Sequence, residues 1–524
     1  MRRTLHRALR RPRGRAGLAP RRLSLLLLAC LLAIPAEQPE AQSRRRSTAR
    51  RAAAAARPTP KATTPRSADA LGADLAAQIG QGTRSGSWGV LVVSLTRGDT
   101  LYRLNADQLL MPASTMKLFT GALALERFGP EHRFETTVLR DGSIGADGTL
   151  RGNLVLRGAG DPGLAARFYQ GSASGAVDQL ADLVARAGIR RVTGDVVGDA
   201  SRFDGKLIPD GWEPRDLDAG YAARVSALSL NENLVWIAVG PGRSGRAASV
   251  ALEPTTSGIP LRNAVRTRAG SGARVIVRRG TDGGMEVRGW IGARSPVRRY
   301  LMVVEEPARF ATGAFAEALR RRGVSVDGTV RLGLAPLSAE PIAALASPPL
   351  EQLVSVMERE SINHYAELLF RNVARDVDPT RPGSVESARA ALRDFLVRKV
   401  GARADAVRAT DGSGLSSLNQ VTPRALVQLL AYAHRAPWGT AFHASLPVAG
   451  ESELLRHRMR ATPAHGNLHA KTGTTNEVIS LAGYTTAENG EVLAFALVYN
   501  GTDRWMARAT IDAMGTTISG FARS

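Results

Sequence analysis

Lysine is scarce in this chain of 524 residues: only 5 of its 70 basic side chains are lysine, and the other 65 are arginine. An arginine side chain does not give up its proton in a protein, whereas a buried lysine can. Two of the five lysines lie in Ser114-Thr-Met-Lys117 and in Lys471-Thr-Gly473. Because Lys117 follows a serine by three residues, we predict an amine that is neutral part of the time, as a base for a serine hydroxyl must be.

Cysteine and aromatic residues are scarce as well. The single cysteine, Cys30, excludes a disulfide within the chain. An aromatic content of 5% argues against a stacking surface for single-stranded nucleic acid, so no nucleic-acid partner is expected. Without paired cysteines the sequence indicates no structural metal site, and neither a metal nor another cofactor is expected.

Positive charge is concentrated at the N-terminus. Residues 1–66 contain 17 Lys and Arg against 2 Glu, a net charge of +15 out of +23 for the chain, which leaves +8 for the remaining residues. The whole chain has 44% apolar and 22% charged residues, which predicts that its bulk is globular, and its length predicts two or three domains. The mild basicity of the remaining residues suits an anionic polymer or a carboxylate ligand.

An apolar run of 12 residues, Leu23 to Ile34, follows nine arginines near the start of the chain. The run is too short for a comfortable membrane span and is typical of a signal peptide, which we place at residues 1–42. Export to the periplasm or cell envelope is therefore expected. The alternatives are an uncleaved anchor and a lipoprotein signal ending at Cys30.

Residues 43–66 consist mainly of Arg, Ala, Pro and Thr without apolar periodicity, which predicts a disordered basic linker. Such a segment either associates weakly with a membrane or cell wall through its charge or is simply solvated.

The remaining chain divides into three parts by its patterning. Residues 67–137 are predicted to form the first part of a catalytic domain, residues 138–340 an inserted β-rich module or modules, and residues 341–524 the second part of the catalytic domain. A helix is expected to begin near Ser114. One strand hairpin is expected at residues 88–105, and a second is expected with one strand on each side of the Asn489-Gly490 pair. The N- and C-terminal hairpins are expected to share one antiparallel sheet with helices packed on it.

Three short motifs occur in order: Ser114-x-x-Lys117, Ser361-Ile-Asn363 and Lys471-Thr-Gly473. The Ser-x-x-Lys and Ser-x-Asn motifs are weak signals alone, and two other Ser-x-Asn triplets begin at Ser229 and Ser417. Ser361 is preferred because it lies at a polar junction between two helical runs. The alternative is that Ser361 merely caps the second helix. Ser417 belongs to a glycine-rich loop that begins at Asp411 and is expected to line the same cleft.

The three motifs together resemble the signature of the penicillin-binding proteins and serine β-lactamases. The long interval between the first two motifs is similar to that of the penicillin-binding protein 4 type D-alanyl-D-alanine carboxypeptidase/endopeptidases, peptidase family S13. The segments Gly160-Asp-Pro-Gly163, Gly194 to Asp199 and Asp411-Gly-Ser-Gly-Leu415 resemble that family too, and the likeness spans about residues 70–520. It implies an α/β (α+β) transpeptidase domain, with an antiparallel sheet flanked by helices and a large β-rich insertion.

The resemblance also implies roles for the motif residues. Ser114 is the expected nucleophile and Lys117 its base, while Ser361 relays the proton and Asn363 holds the substrate amide and helps fix Lys117. Lys471, the second cation, is expected to bind the substrate's terminal carboxylate with Thr472 and Thr474, beside Gly473. The oxyanion hole would be formed by the backbone N–H groups of Ser114 and Thr474. The implied substrates are peptidoglycan stem peptides, and the implied inhibitors are β-lactam antibiotics.

Three alternatives remain open from the sequence. A serine β-lactamase needs a second base for deacylation, often in a Glu-x-x-Leu-Asn loop between the second and third motifs, and no such segment occurs. A non-catalytic penicillin-binding envelope protein would not need all three motifs intact. An anion-binding protein would depend on the basic N-terminal arm. The sequence leaves the choice between carboxypeptidase and endopeptidase activity open.

Overall fold

The structure, a computed structural model, describes residues 59–280 and 282–523. Its helices are α1 (Ala68–Gly82), α2 (Met116–Phe128), α3 (Gly175–Arg186), α4 (Pro307–Arg321), α5 (Leu350–Glu360), α6 (Asn363–Val377), α7 (Val385–Phe395), α8 (Pro423–Ala433), α9 (Gly439–Ser445) and α10 (Arg504–Ser519). Its strands are β1 (Ser87–Ser94), β2 (Thr100–Leu104), β3 (Glu135–Ile144), β4 (Thr149–Arg157), β5 (Arg191–Val192), β6 (Val196–Asp199), β7 (Leu234–Gly240), β8 (Ser249–Glu253), β9 (Leu261–Arg268), β10 (Ala273–Arg279), β11 (Met285–Gly292), β12 (Arg298–Val303), β13 (Ser325–Val326), β14 (Val330–Leu332), β15 (Glu340–Ala346), β16 (Val407–Arg408), β17 (Gln420–Val421), β18 (His469–Thr474), β19 (Val478–Thr486) and β20 (Val492–Asn500).

The central sheet joins the two ends of the described chain. Its strands are all antiparallel and follow the order β18-β19-β20-β1-β2. The prediction that the N- and C-terminal hairpins share a sheet is confirmed, because β1 pairs with β20 along its whole length. This arrangement places the third motif, on β18, at one edge of the sheet.

Both faces of the central sheet are buried. Alternation along β20 directs Ala494 and Ala496 into a core under α2, α5, α6, α7 and α8, while Leu493 and Phe495 enter a second core under α1 and α10. A strand buried on both faces reads as a continuous apolar run rather than an alternating one. The unbroken apolar pattern of residues 492–499 therefore follows from helices on both sides.

The insertion has a core of its own, formed by residues between Val138 and Ala343. One mixed sheet has the order β13-β5-β4-β3-β15, with β6 beside β4 and β14 beside β6. Two three-stranded sheets, β10-β11-β9 and β12-β7-β8, complete it. The expected β-rich texture is present, but α3 and α4 were not predicted. The apolar positions of α3, which include Val177, Leu180 and Val184, have helical spacing and are buried against α4 in this core.

The expected borders of the insertion, at residues 138 and 340, fall within a strand and at the first residue of a strand. β3 pairs with β15 in antiparallel register, from Glu135 opposite Ala346 to Arg140 opposite Glu340. We propose that this strand pair forms the border of the insertion, since it brings together the two points at which the chain enters and leaves the insertion.

Residues 61–66, which the sequence assigns to the basic linker, contact the folded body. The backbone N–H of Thr63 donates to Thr517 Oγ1 at 3.0 Å, and the carbonyl of Lys61 accepts a hydrogen bond from Gln78. The predicted signal peptide, residues 1–42, and the linker up to residue 58 lie outside the described residues. Within the described ranges, no helix is long and apolar enough to cross a bilayer.

Candidate active site

Ser114 lies in a tight turn at the start of α2. Residues Ala113–Thr115 form one 3₁₀ turn, and α2 begins at Met116, so the expected helix under the first motif is confirmed. Ala113 adopts a φ of 48°, an unfavourable value for a residue with a Cβ. Such strained conformations occur where the surrounding structure holds a functional group in place, and this one lies directly before Ser114.

Lys117 is fully buried one turn after the serine, and its amine reaches three oxygen atoms. Its Nζ lies 3.0 Å from Ser114 Oγ, 2.6 Å from Asn363 Oδ1 and 2.7 Å from the carbonyl oxygen of Ser413. A neutral amine has two N–H donors and one lone pair. Asn363 Oδ1 and the carbonyl oxygen of Ser413 can only accept hydrogen bonds, and they can accept both N–H groups of the amine. The lone pair is then free to accept the proton of the serine hydroxyl.

The surroundings of Lys117 favour that neutral form. Burial, and next the positive charge of Lys471, lower the pKa of Lys117 from its ordinary value of 10.5 to about 7. Three buried carboxyl groups, those of Glu358, Asp411 and Glu367, act in the opposite direction. The balance gives an amine that changes protonation state near neutral pH, as a general base requires.

The second motif connects α5 to α6. Ser361 ends α5 with a left-handed backbone, φ 60°, and lines the cleft together with Asn363. Its side chain does not cap α6, so the capping alternative finds no support. Asn363 donates from Nδ2 to the carbonyl of Tyr221 at 2.8 Å, which orients its Oδ1 towards Lys117.

The loop from Asp411 to Asn419 supplies the third contact of Lys117. The Asp411 carboxylate accepts hydrogen bonds from the backbone N–H groups of residues 413, 414 and 416 and from the side chains of Trp212 and Asn419. This network fixes the carbonyl of Ser413. The sequence predicts that the loop lines the cleft, which is confirmed, but a backbone carbonyl gives no sequence signal of its contact.

The third motif lies on edge strand β18. Lys471 is fully buried and its Nζ has no hydrogen-bond partner among the described residues. A Cβ on Gly473 would lie 2.2 Å from Ser480 Oγ and 2.7 Å from the carbonyl of Pro112, so glycine lets the strand approach the serine turn. Thr472 is buried, while Thr474 is exposed and lines the cleft beside Ser114.

One buried side chain beside the motifs was missed from the sequence. Glu358 is fully buried on α5, three residues before Ser361, although the run Glu358-Arg-Glu360 is typical of an exposed helix end. The helical period gives the signal, because Val354 and Leu350 lie four and eight residues earlier, respectively, on the same apolar face.

An open cleft of about 380 Å³ brings these parts together. The serine turn, the second motif and Thr474 line it, and so do three charged residues of the insertion, Glu213, Arg215 and Asp216. His465 and His469 are four residues apart, a spacing that can suit a metal. Among the described residues, however, no group of three His, Cys, Asp or Glu side chains is arranged to hold an ion.

A comparison with known proteins identifies the family to which the chain is related. The profile of the D-Ala-D-Ala carboxypeptidase 3 (S13) family matches residues 71–519. The D-alanyl-D-alanine carboxypeptidase of Actinomadura sp. (strain R39) is 35% identical over 451 residues, which cover 83% of this chain and 81% of the relative.

Solved structures give a consistent result. The crystal structure of penicillin binding protein 4 from Haemophilus influenzae superposes with a TM-score of 0.71 at 25% identity, over 84% of this chain and 97% of that one. The same protein complexed with a novel β-lactam gives a TM-score of 0.64 at 24% identity, over 82% and 93% of the two chains. The expected transpeptidase fold is thus confirmed. The chain belongs to the D-Ala-D-Ala carboxypeptidase 3 (S13) family and is a serine-type D-Ala-D-Ala carboxypeptidase.

Proposed function

We propose that this enzyme removes the terminal D-alanine of peptidoglycan stem peptides through an acyl-enzyme on Ser114. The observation that carries the proposal is the contact between Lys117 Nζ and Ser114 Oγ at 3.0 Å, in surroundings that favour the neutral amine. The amine takes the hydroxyl proton as the serine oxygen attacks the carbonyl carbon of the D-Ala–D-Ala bond. The C–N bond then breaks, and water later releases the acyl group.

The second motif serves proton transfer and orientation in this mechanism. Ser361 relays the proton from Lys117 to the leaving amine from its position in the cleft. Asn363 fixes Lys117 through Oδ1, and one of its two Nδ2 hydrogens is donated to the carbonyl of Tyr221. The remaining Nδ2 hydrogen is the donor available to the substrate amide.

The third motif binds the terminal carboxylate of the substrate and contributes a backbone N–H group to the oxyanion hole. Lys471, Thr472 and Thr474 hold the terminal carboxylate. The backbone N–H groups of Ser114 and Thr474 form the oxyanion hole, where loss of one donor typically costs about 3–4 kcal/mol of transition-state stabilisation.

The substrate range follows from the open cleft and the charged residues that the insertion contributes to it. We propose that the enzyme trims terminal D-alanine, cleaves cross-links between stem peptides, and is acylated by β-lactams, one of which is bound by the related Haemophilus influenzae protein. Residues 1–42 direct it out of the cytoplasm, and it works in the periplasm or cell envelope.

Mass spectrometry of digested peptidoglycan fragments, monomeric and cross-linked, tests this function. Release of D-alanine from a pentapeptide, blocked by penicillin and lost in Ser114→Ala, is the expected result. Lys117→Arg keeps the charge but removes the base, so it too is expected to lose activity and labelling by a fluorescent penicillin. A Lys117→Arg protein that is still labelled would contradict the neutral-amine mechanism.

The same reagent separates the enzyme from a β-lactamase. In the described part of the chain, the hydroxyl of Ser114 is hydrogen-bonded to Lys117 and to no carboxylate. Without a second base next to the nucleophile, the penicilloyl-enzyme is expected to turn over slowly. Rapid recovery of free enzyme would favour β-lactamase activity instead.

A further inference from the structure

Glu358 is a buried carboxyl group in the catalytic centre that the mechanism above does not use. Its side chain is fully buried, and neither Oε1 nor Oε2 has a hydrogen-bond partner among the described residues. Leaving a carboxyl group buried without partners costs several kcal/mol unless an opposite charge compensates. To remain ionised at neutral pH, this group therefore needs a buried cation nearby; otherwise it takes up a proton.

The carboxyl lies between α5 and α2, close to both catalytic motifs. A Cβ on Gly121 would lie 3.1 Å from Glu358 Oε1. Gly121 is four residues after Lys117 on α2, so it is on the same helix face as the base. Glu358 also lies three residues before Ser361. Its carboxyl group is therefore packed against the helix of the first motif, and its position in the chain is next to the second.

Lys471 is the buried cation that matches it. Its Nζ also lacks a hydrogen-bond partner among the described residues, and it is fully buried. Burial lowers the pKa of Lys471, and the charge of Glu358 opposes that effect. In turn, burial raises the pKa of Glu358 to about 7, while Lys471 and then Lys117 oppose the rise.

The other acidic groups near Lys117 already have partners. Asp411 accepts five hydrogen bonds within its loop and from Trp212. Glu367 accepts the N–H of Gly412 and pairs with Arg371. Glu358 is thus the one acidic neighbour of Lys117 in the described residues whose carboxyl oxygens have no such bond.

We propose that Glu358 is a positioning residue whose buried carboxylate keeps Lys471 an ammonium, so that Lys471 can hold the substrate's terminal carboxylate while Lys117 acts as the neutral base. The proposal rests on the carboxylate-binding role of Lys471 under the proposed function. It gives the two lysines of the site opposite protonation states: the charge of Glu358 favours the ammonium form of both, whereas burial and the positive charge of Lys471 favour the neutral form of Lys117.

The test compares Glu358→Gln with the wild type across pH. The rate constant of acylation is measured with a penicillin and with the methyl ester of the same penicillin, which lacks the carboxylate. Glu351→Gln, on the first turn of the same helix, is the matched control. The amide has nearly the shape of the carboxyl and forfeits no hydrogen bond, so the variant is expected to fold.

Without the carboxylate, Lys471 is expected to lose its proton at lower pH. In the plot of the acylation rate constant with penicillin against pH, the alkaline limb of Glu358→Gln should therefore shift to lower pH by about 1 unit. At a given pH on that limb, this is a roughly tenfold loss of rate. The methyl ester should show no such shift, and Glu351→Gln should overlay the wild type. Glu358→Asp, which keeps the charge, should restore most of the limb.

Two results would overturn the proposal: an alkaline limb of Glu358→Gln that overlays the wild type, or an equal loss with both reagents at every pH. If Glu358→Gln does not fold, Glu358→Met, which also lacks the charge and is similar in volume, replaces it. The same downward shift of the alkaline limb is then expected, and an unchanged limb overturns the proposal. Failure of the wild type to be labelled on Ser114 would instead refute the proposed function.

Discussion

Lys117 and Lys471 are both fully buried, yet their contacts differ. Lys117 reaches three oxygen acceptors, whereas Lys471 has none among the described residues. The scarcity of lysine and the serine three residues away mark Lys117 in the sequence. Its other contacts are with residues 246 and 296 positions distant in the chain. Local spacing could therefore predict the serine–lysine pair, and the family resemblance added Asn363, but the Ser413 carbonyl that also orients the amine could not be predicted.

The pH dependence of acylation follows from the state of Lys117. Its pKa of about 7 means that the amine is protonated below neutrality and cannot accept the serine proton. The rate of acylation by a penicillin is expected to be half-maximal near pH 7 and to fall about tenfold per pH unit below it. Stopped-flow labelling checks this, with Ser114→Ala as the blank. A rate that stays level down to pH 5 would show that another group is the base.

At the scale of elements, two glycines allow the serine turn to be packed from both sides. Gly473 brings β18 against it, and Gly414 brings the Asp411 loop against it. A Cβ on Gly414 would lie 1.8 Å from the carbonyl oxygen of Ala113, and its φ is +84°. The close approach of three separate elements fixes the serine, which explains why the strained φ of Ala113 persists.

Gly414→Ala is expected to impair catalysis through this packing. The added methyl group must displace the serine turn, so both acylation and folding stability should fall, the latter by more than about 1 kcal/mol. Gly401→Ala is the matched control, since Gly401 has a φ of +76° but no atom within 4 Å of the added Cβ. The control should lose stability and keep its acylation rate. Equal rates in the two variants would mean that the turn does not need this contact.

Helices and strands with strong periodicity were predicted well. The helix expected near Ser114 corresponds to α2, and the strands expected on the two sides of Asn489-Gly490 are β19 and β20. Within the insertion, frequent glycine-rich turns masked the helical spacing of α3 and α4. A single helix can be predicted from its own pattern, whereas the pairing of β3 with β15 joins segments about 200 residues apart and leaves no local signal.

At the scale of the whole molecule, the insertion contributes to the active site as well as surrounding it. Its Tyr221 carbonyl orients Asn363, and the next residue, His364, is held by Asn233. Burial lowers the pKa of His364 to about 3, so the ring is neutral and its Nε2 accepts from Asn233 Nδ2 at 2.9 Å. These contacts fix the second motif from the side of the insertion.

Asn233→Ala tests this support. The substitution removes hydrogen bonds to the carbonyl of Arg224, to Ser229 and to His364, and is expected to cost about 1–3 kcal/mol of stability. Acylation should also slow, because the start of α6 loses a fixed contact. Asn263→Ala, whose bonds stay within the insertion, is the control and should leave the rate unchanged. Thermal unfolding and penicillin labelling measure the two effects; an equal rate in both variants would argue against support of the site by the insertion.

The sequence by itself determined the proposed serine–lysine pair, the order of the three motifs, the family and the elements on which the motifs lie. Each of these depends on residue types at short, fixed spacing. Only the tertiary structure decided which groups set the charge and orientation of the two lysines: a backbone carbonyl at Ser413, another at Tyr221, and the buried carboxyl of Glu358. Every residue type carries a backbone carbonyl, and the burial of Glu358 depends on the packing of α5 against α2. Neither property can be read from the identity of the residue.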